Sequence, residues 1–237
     1  MLDISVTAAL AAYGASRNSS PPTHLGTRDD SSPRFLPEPG NTVVCHVAPG
    51  SETEAALIAA RDRYLTMPDA DRLIFTPVSS LHMTLFQGII EYRRDPGYWP
   101  AGVPLDTPID EMTAMMGERL APFQPGPPFR MTVLGARPTG LVVRPVGEAD
   151  RKALRLWRDG LADAWGYRHP DHDDYVFHIT FAYLLDWLPD SRLSAWQTML
   201  DGVASELNAR VPVLELQPPA FCSFADMNHF EELRVLA

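Results

Sequence analysis

The chain is nearly without lysine: Lys152 is the only one in 237 residues, and arginine supplies the rest of its basic charge. That bias carries no functional reading by itself. Cysteine is also scarce, with Cys45 and Cys222 alone. A secreted disulfide framework carries more, so two buried free thiols and a cytoplasmic setting are expected. No apolar run approaches a membrane span. The stretch Val6–Ala15 resembles the apolar part of a signal, but no basic residue precedes it, so it reads as a short helix or arm. Positive charge is in deficit overall: the formal net charge is −10. An acidic surface repels a long polyanion and disfavours duplex nucleic acid as a partner, while leaving room for a small phosphorylated ligand in a local pocket. No internal repeat is visible, and the apolar fraction of 45% is that of an ordinary globular chain.

What is present divides into an arm and a body. Residues 1–40 are crowded with turn residues, such as Ser19-Ser20-Pro21-Pro22 and Pro37-Glu38-Pro39-Gly40, and read as an irregular N-terminal arm. Residues 41–237 read as one bilobal domain. Within it, β-branched and apolar alternation predicts strands at 42–47, 72–78, 81–90, 175–185, 211–216, 220–224 and 232–236. A hairpin is predicted over 129–134 and 140–146, around Arg137-Pro138-Thr139-Gly140. Helical spacing predicts helices at 51–64, 109–120, 148–165 and 191–209. Ser51, followed three residues later by Glu54, marks the start of the first. Leu154, Trp157, Leu161 and Trp165 form a core stripe on the third. A Pro-, Gly- and aromatic-rich insertion spans 95–108; its Trp99 is either packed or free to stack on a base.

Two of the strands share one text: Leu81-His82-Met83-Thr84-Leu85 and Phe177-His178-Ile179-Thr180-Phe181. Alternation turns Leu81, Met83, Leu85, Phe177, Ile179 and Phe181 to the core. His82, Thr84, His178 and Thr180 then face a groove. If the strands oppose each other from two sheets, they bracket one anionic group. One imidazole takes a proton from an attacking hydroxyl or water, the other protonates the leaving oxygen, and the threonines donate to the non-bridging oxygens. Five other histidines lack Ser or Thr two residues on, so the pair is selective.

These two motifs, His82-Met83-Thr84-Leu85 and His178-Ile179-Thr180-Phe181, resemble the signature of the 2H phosphoesterase superfamily, which includes LigT-like 2′-5′ RNA ligases and cyclic nucleotide phosphodiesterases. With the flanking text from Pro39 to His46 and on to Tyr183, they resemble its DUF1868 branch. The resemblance runs from about Asn41 to the C-terminus. It implies an α+β, bilobal LigT-like fold, with two antiparallel-rich sheets facing across a central cleft and helices outside. It also implies a phosphoesterase acting on cyclic phosphates or 2′-5′ phosphodiesters of a nucleotide or RNA end, with no metal or other cofactor. A monomer is expected. The arm and the 95–108 insertion depart from the compact LigT-like pattern.

Weaker candidates surround the pair. His46 alternates with Thr42 and Val44 and either faces the groove or sits in the core. Tyr183 falls on the core face by alternation, so only a bulge brings it into the groove. Tyr175 shares that parity, with more freedom at the strand start. Arg130, at a hairpin start, either holds a phosphate or is solvated. The loop His169-Pro170-Asp171-His172-Asp173-Asp174 has ligand types that suit a divalent cation. Its spacing and the lack of a distant partner favour a solvated acidic loop. Two functional alternatives follow: a non-catalytic nucleotide- or RNA-end-binding module, and a divalent-metal hydrolase using this loop.

Overall fold

The computed structural model describes residues 10–30, 32 and 34–237. The first part of the Val6–Ala15 stretch therefore lies outside the described residues, as do residues 31 and 33 of the Asp29–Pro33 cluster. Among the described residues there are nine strands: β1 Gly40–His46, β2 Leu73–Phe75, β3 His82–Ile90, β4 Met131–Arg137, β5 Gly140–Pro145, β6 His178–Thr180, β7 Ala182–Leu184, β8 Ala220–Phe224 and β9 Glu231–Val235. Four α-helices accompany them: α1 Glu52–Leu65, α2 Ile109–Arg119, α3 Glu148–Trp165 and α4 Leu193–Arg210. The expected α+β class stands.

Local chemistry sets several boundaries. Ser51 accepts a hydrogen bond from the Glu54 backbone N–H at 3.0 Å, and the Glu54 carboxylate reaches back to the Gly50 N–H at 2.7 Å, which satisfies two free donors at the start of α1. Helix α3 ends at Gly166, whose φ of 77° is the left-handed conformation that closes helices.

Seven strands form one sheet in the order β4-β5-β6-β3-β1-β8-β9, and β2 pairs with β7 in a separate two-stranded sheet. Every pairing between these strands is antiparallel. One face of the large sheet is the main core: Val43, Cys45, Met83, Leu85, Leu141, Ile179 and Phe221 meet Met112 and Met116 of α2 and the predicted stripe Leu154, Trp157, Leu161 and Trp165 of α3. The opposite face carries a smaller cluster in which Val44, Ala220, Cys222 and Phe224 pack with Met227 and Phe230. The two cysteines are buried and free, as expected, one on each face.

Two expectations are corrected, and the alternative left at Trp99 is resolved. Residues 211–216 do not form a strand; Pro212 has no N–H for a ladder, and only a single bridge joins Val47 to Leu216. Residues 175–185 are not one strand. The chain breaks at Phe181, where the N–H groups of Phe181 and Ala182 both donate to Thr139 O, and it then leaves the large sheet to pair with β2. Trp99 is buried, donates to Pro104 O at 3.1 Å and is not free to stack on a base. Among the described residues no helix is long and apolar enough to cross a membrane.

Candidate active site

The two motif strands, expected to oppose each other from two sheets, are neighbours within one. Met83 of β3 pairs with Ile179 of β6, and both are fully buried. Alternation then turns His82, Thr84, His178 and Thr180 to the other face. Carried one residue each way, the antiparallel register sets His82 across from Thr180 and Thr84 across from His178. The four side chains form a rectangle with the imidazoles on a diagonal, where Cα atoms lie ~7–8 Å apart.

The row continues across the sheet. Thr180 pairs with Gly140, Gly140 with Arg137, and His82 with His46. Guanidinium, gap, hydroxyl and two imidazoles therefore lie along one line over five strands. Gly140 has a φ of +139°, and a Cβ there would lie 2.2 Å from Ile179 O, so only glycine fits. Its missing Cβ lets the β6 backbone approach closely at Ile179–Phe181.

Both imidazoles are held the same way. His82 Nδ1 donates to Ser80 O at 2.7 Å, and His178 Nδ1 donates to Val176 O at 3.0 Å. A carbonyl only accepts, so Nδ1 carries the hydrogen in both rings and Nε2 holds the free lone pair. Burial lowers His82 to a pKa of about 3, with repulsion from His46 and His178 adding to it and the Ser80 bond opposing it. Burial also lowers His178, and Arg137 adds to that shift. Both rings are therefore neutral near pH 7. The ring of Phe230 packs 4.2 Å from that of His82.

His82, Thr84, Arg137, His178, Thr180 and Phe230 line a cleft of ≈ 730 Å³. The N-terminal arm supplies part of its wall through Tyr13, His24 and Arg28. Arg28 is neutralised by Glu38 at 2.5 Å and lies 4.7 Å over the Tyr183 ring. Arg93 binds Gln87 Oε1 at 2.7 Å and Gly88 O at 3.3 Å. Neither Arg93 nor Arg137 has a carboxylate within ion-pair distance among the described residues.

The remaining sequence candidates separate. Tyr183 does line the cleft, against its parity, because the break at Phe181 resets which way the chain faces. Its hydroxyl donates to Met227 Sδ at 3.3 Å, and burial raises its pKa. His46 stands beside His82, with ring centres 6.1 Å apart, but its Nε2 lies 3.7 Å from Cys222 Sγ and it does not line the cleft. Tyr175 also lies outside it, under the Arg158 guanidinium at 4.4 Å. Arg130 is not at the cleft; it pairs with Asp150, which caps the N-terminus of α3 through the Gly147 N–H.

In the loop 169–174 the aspartates are exposed, but His169 and His172 are buried, which corrects the solvated-loop reading for the histidines. His169 sits among the rings of Phe86, Tyr98 and Tyr167 at 5.0–5.4 Å, and His172 Nε2 meets Asp159 at 3.0 Å. The loop's ligand types thus diverge. Among the described residues no three His, Cys, Asp or Glu side chains converge as a metal site requires.

Sequence reading missed Tyr13, His24, Arg28, Arg93 and Arg137. The arm was read only as turn residues. In the sequence Arg137 marks only a hairpin turn; pairing the hairpin with the second motif strand puts it in line with Thr180.

A family model with the label 2H-phosphodiest and the description "Domain of unknown function (DUF1868)" matches residues 28–142. That range holds His82 and Thr84. The crystal structure of ATU0111, a conserved protein of unknown function from Agrobacterium tumefaciens str. C58, matches with a TM-score of 0.95 and 51% identity, over 97% of this chain and 99% of that one. The crystal structure of TT0787 of Thermus thermophilus aligns at a TM-score of 0.38 and 21% identity, over 63% of this chain and 76% of the other. No curated protein matches.

Proposed function

The chain belongs to the 2H-phosphodiesterase family described as DUF1868, and from that premise we propose that its cleft cleaves a cyclic phosphate or a 2′-5′ phosphodiester of a nucleotide or RNA end, with His82 and His178 as paired base and acid. The family supports a phosphoesterase-type function. The finer reading rests on one observation: the Met83–Ile179 register brings two His–Thr pairs together head to tail, each imidazole holding Nε2 free.

In this reaction the scissile phosphate sits over the rectangle. Nε2 of one histidine accepts the proton of the attacking water or hydroxyl as its oxygen bonds to phosphorus. The opposite histidine, protonated, gives its proton to the departing ester oxygen as the P–O bond breaks. Thr84 and Thr180 donate to the non-bridging oxygens, and Arg137 offsets the charge that gathers there. The arriving anion raises both imidazole pKa values, which restores the protonated acid that burial disfavours in the free cleft. The near two-fold arrangement lets the histidines exchange roles with substrate orientation. A cleft of this volume holds a nucleotide, and the net charge of −10 disfavours long duplexes. The chemistry needs no metal.

The test is a panel of 2′,3′-cyclic nucleotides, 2′-5′ dinucleotides and ADP-ribose cyclic phosphate, with and without EDTA, on the natural chain and on His82→Ala/His178→Ala. Turnover that survives EDTA and disappears in the double variant is expected. Turnover retained by the double variant overturns the proposal. Tight binding across the panel with no turnover makes the cleft a binding module instead.

A further inference from the structure

A second groove, of ≈ 300 Å³, lies next to the cleft, walled by β4, β5, α3 and the segment 172–177. Its lining gathers Arg137, Arg144, Arg151, Arg155 and Arg158, against one carboxylate, Asp173. Five guanidinium groups around one small groove stand out in a chain of net charge −10.

Little within the protein answers that charge. Asp173 already faces Arg168 at 3.7 Å, and Arg151 has an exposed partner in Glu148 at 3.2 Å. Among the described residues Arg137, Arg144 and Arg155 have no carboxylate within ion-pair distance. Arg158 is 5% exposed, and its terminal nitrogens donate only to backbone, to Leu85 O at 2.7 Å and His172 O at 3.1 Å. Arg158 Nε and the Tyr175 hydroxyl, both on residues lining the groove, are buried donors without a partner among the described residues. Converging like charges with unanswered donors are the chemistry of an anion site, and the planar guanidinium fork matches phosphate oxygens.

The groove and the cleft adjoin, because they share lining residues. Arg137 and Val142 line both, and Val142 is the β5 partner of His178. The Tyr175 ring in the groove lies 6.2 Å from the His178 ring. An anion in the groove is therefore adjacent to a phosphate held by the histidines.

We propose that this groove seats a second phosphate of the substrate, so that the preferred ligands are nucleotides or oligonucleotides carrying at least two phosphates. The inference rests on the two-histidine reading for where the first phosphate sits.

The test measures binding rather than turnover. Calorimetry compares adenosine 3′,5′-bisphosphate with adenosine 3′-monophosphate on the full chain, on Arg144→Ala/Arg155→Ala, and on Arg63→Ala/Arg210→Ala, which removes equal charge at residues lining neither cavity. The natural chain and the remote control are expected to bind the bisphosphate about 10-fold or more tightly than the monophosphate. The groove variant is expected to lose that preference, with monophosphate affinity and Tm unchanged. Equal affinity for the two ligands in the natural chain overturns the proposal. So does a preference that survives in the groove variant, or one lost equally in the remote control. Inorganic phosphate that binds the groove without any bisphosphate preference marks a separate anion site and also overturns it. An enzyme inactive on every ester of the panel refutes the proposed function, while the bisphosphate comparison still decides the groove.

Discussion

Met83 and Ile179 are directly paired across β3 and β6, and both are buried in the main core. That contact sets the candidate site. A slip of one residue in either strand would turn its histidine and threonine into the core.

The register sets each threonine across from the histidine of the other strand. Thr84→Val and Thr180→Val are each expected to lower kcat by ~10², and His82→Ala and His178→Ala by ~10²–10⁴. Steady-state kinetics with thermal melts checks this. A loss of activity that follows a loss of fold, or threonine variants at full rate, would remove the phosphate-contact role.

Both imidazoles are neutral in the free cleft, with His82 near 3 and His178 lowered. The proposed reaction needs one of them protonated. Because kcat/KM reports the free enzyme, its decline with rising pH should begin below the ordinary histidine value of about 6.5. Arg137 lowers the His178 pKa, so Arg137→Ala should move that decline to higher pH while weakening binding. An optimum above neutrality in the natural chain, or no displacement in the variant, contradicts the assignment.

Gly140→Ala places a Cβ 2.2 Å from Ile179 O at a φ of +139°. The expected outcome is a loss of more than ~1 kcal/mol of stability, together with a displaced Thr180 and a raised KM. Chemical denaturation and kinetics on the same sample test it; an unchanged midpoint would show that the β5–β6 approach is not tight.

His169 is buried and uncharged, its pKa lowered to about 3 by burial, with Arg93 and Arg158 contributing. The unfolded chain binds its proton below about 6.5, while the folded chain does not until near 3. Stability should therefore fall as pH drops from about 6.5, and His169→Leu should flatten part of that slope. Melting curves at stepped pH decide it, and a slope identical in the variant excludes His169 as a contributor.

Much of the element order was legible from residue order alone. The spacing of Leu154, Trp157, Leu161 and Trp165 defines a helix over 148–165, and α3 spans those same residues. Alternation also separates His82 and Thr84 from Leu81, Met83 and Leu85, and the burial of β3 follows it. These are local properties: side-chain direction repeats with the backbone geometry of a single segment, so one segment suffices to read it.

Tertiary structure decided the rest. Whether the motif strands oppose or adjoin depends on which strand each one pairs with, and no local pattern encodes that choice. Phe181 looks like one more core residue in an alternating run, yet Thr139 captures the N–H groups of Phe181 and Ala182 and redirects the chain, bringing Tyr183 into the cleft. Arg28 and Arg137 lie 109 positions apart and line the same cavity; only folding brings them together. The two His-x-Thr motifs were determined by the sequence. Their meeting head to tail as neighbours, and the arginines around them, were decided by long-range pairing, because hydrogen-bond register is a property of two strands and not of one.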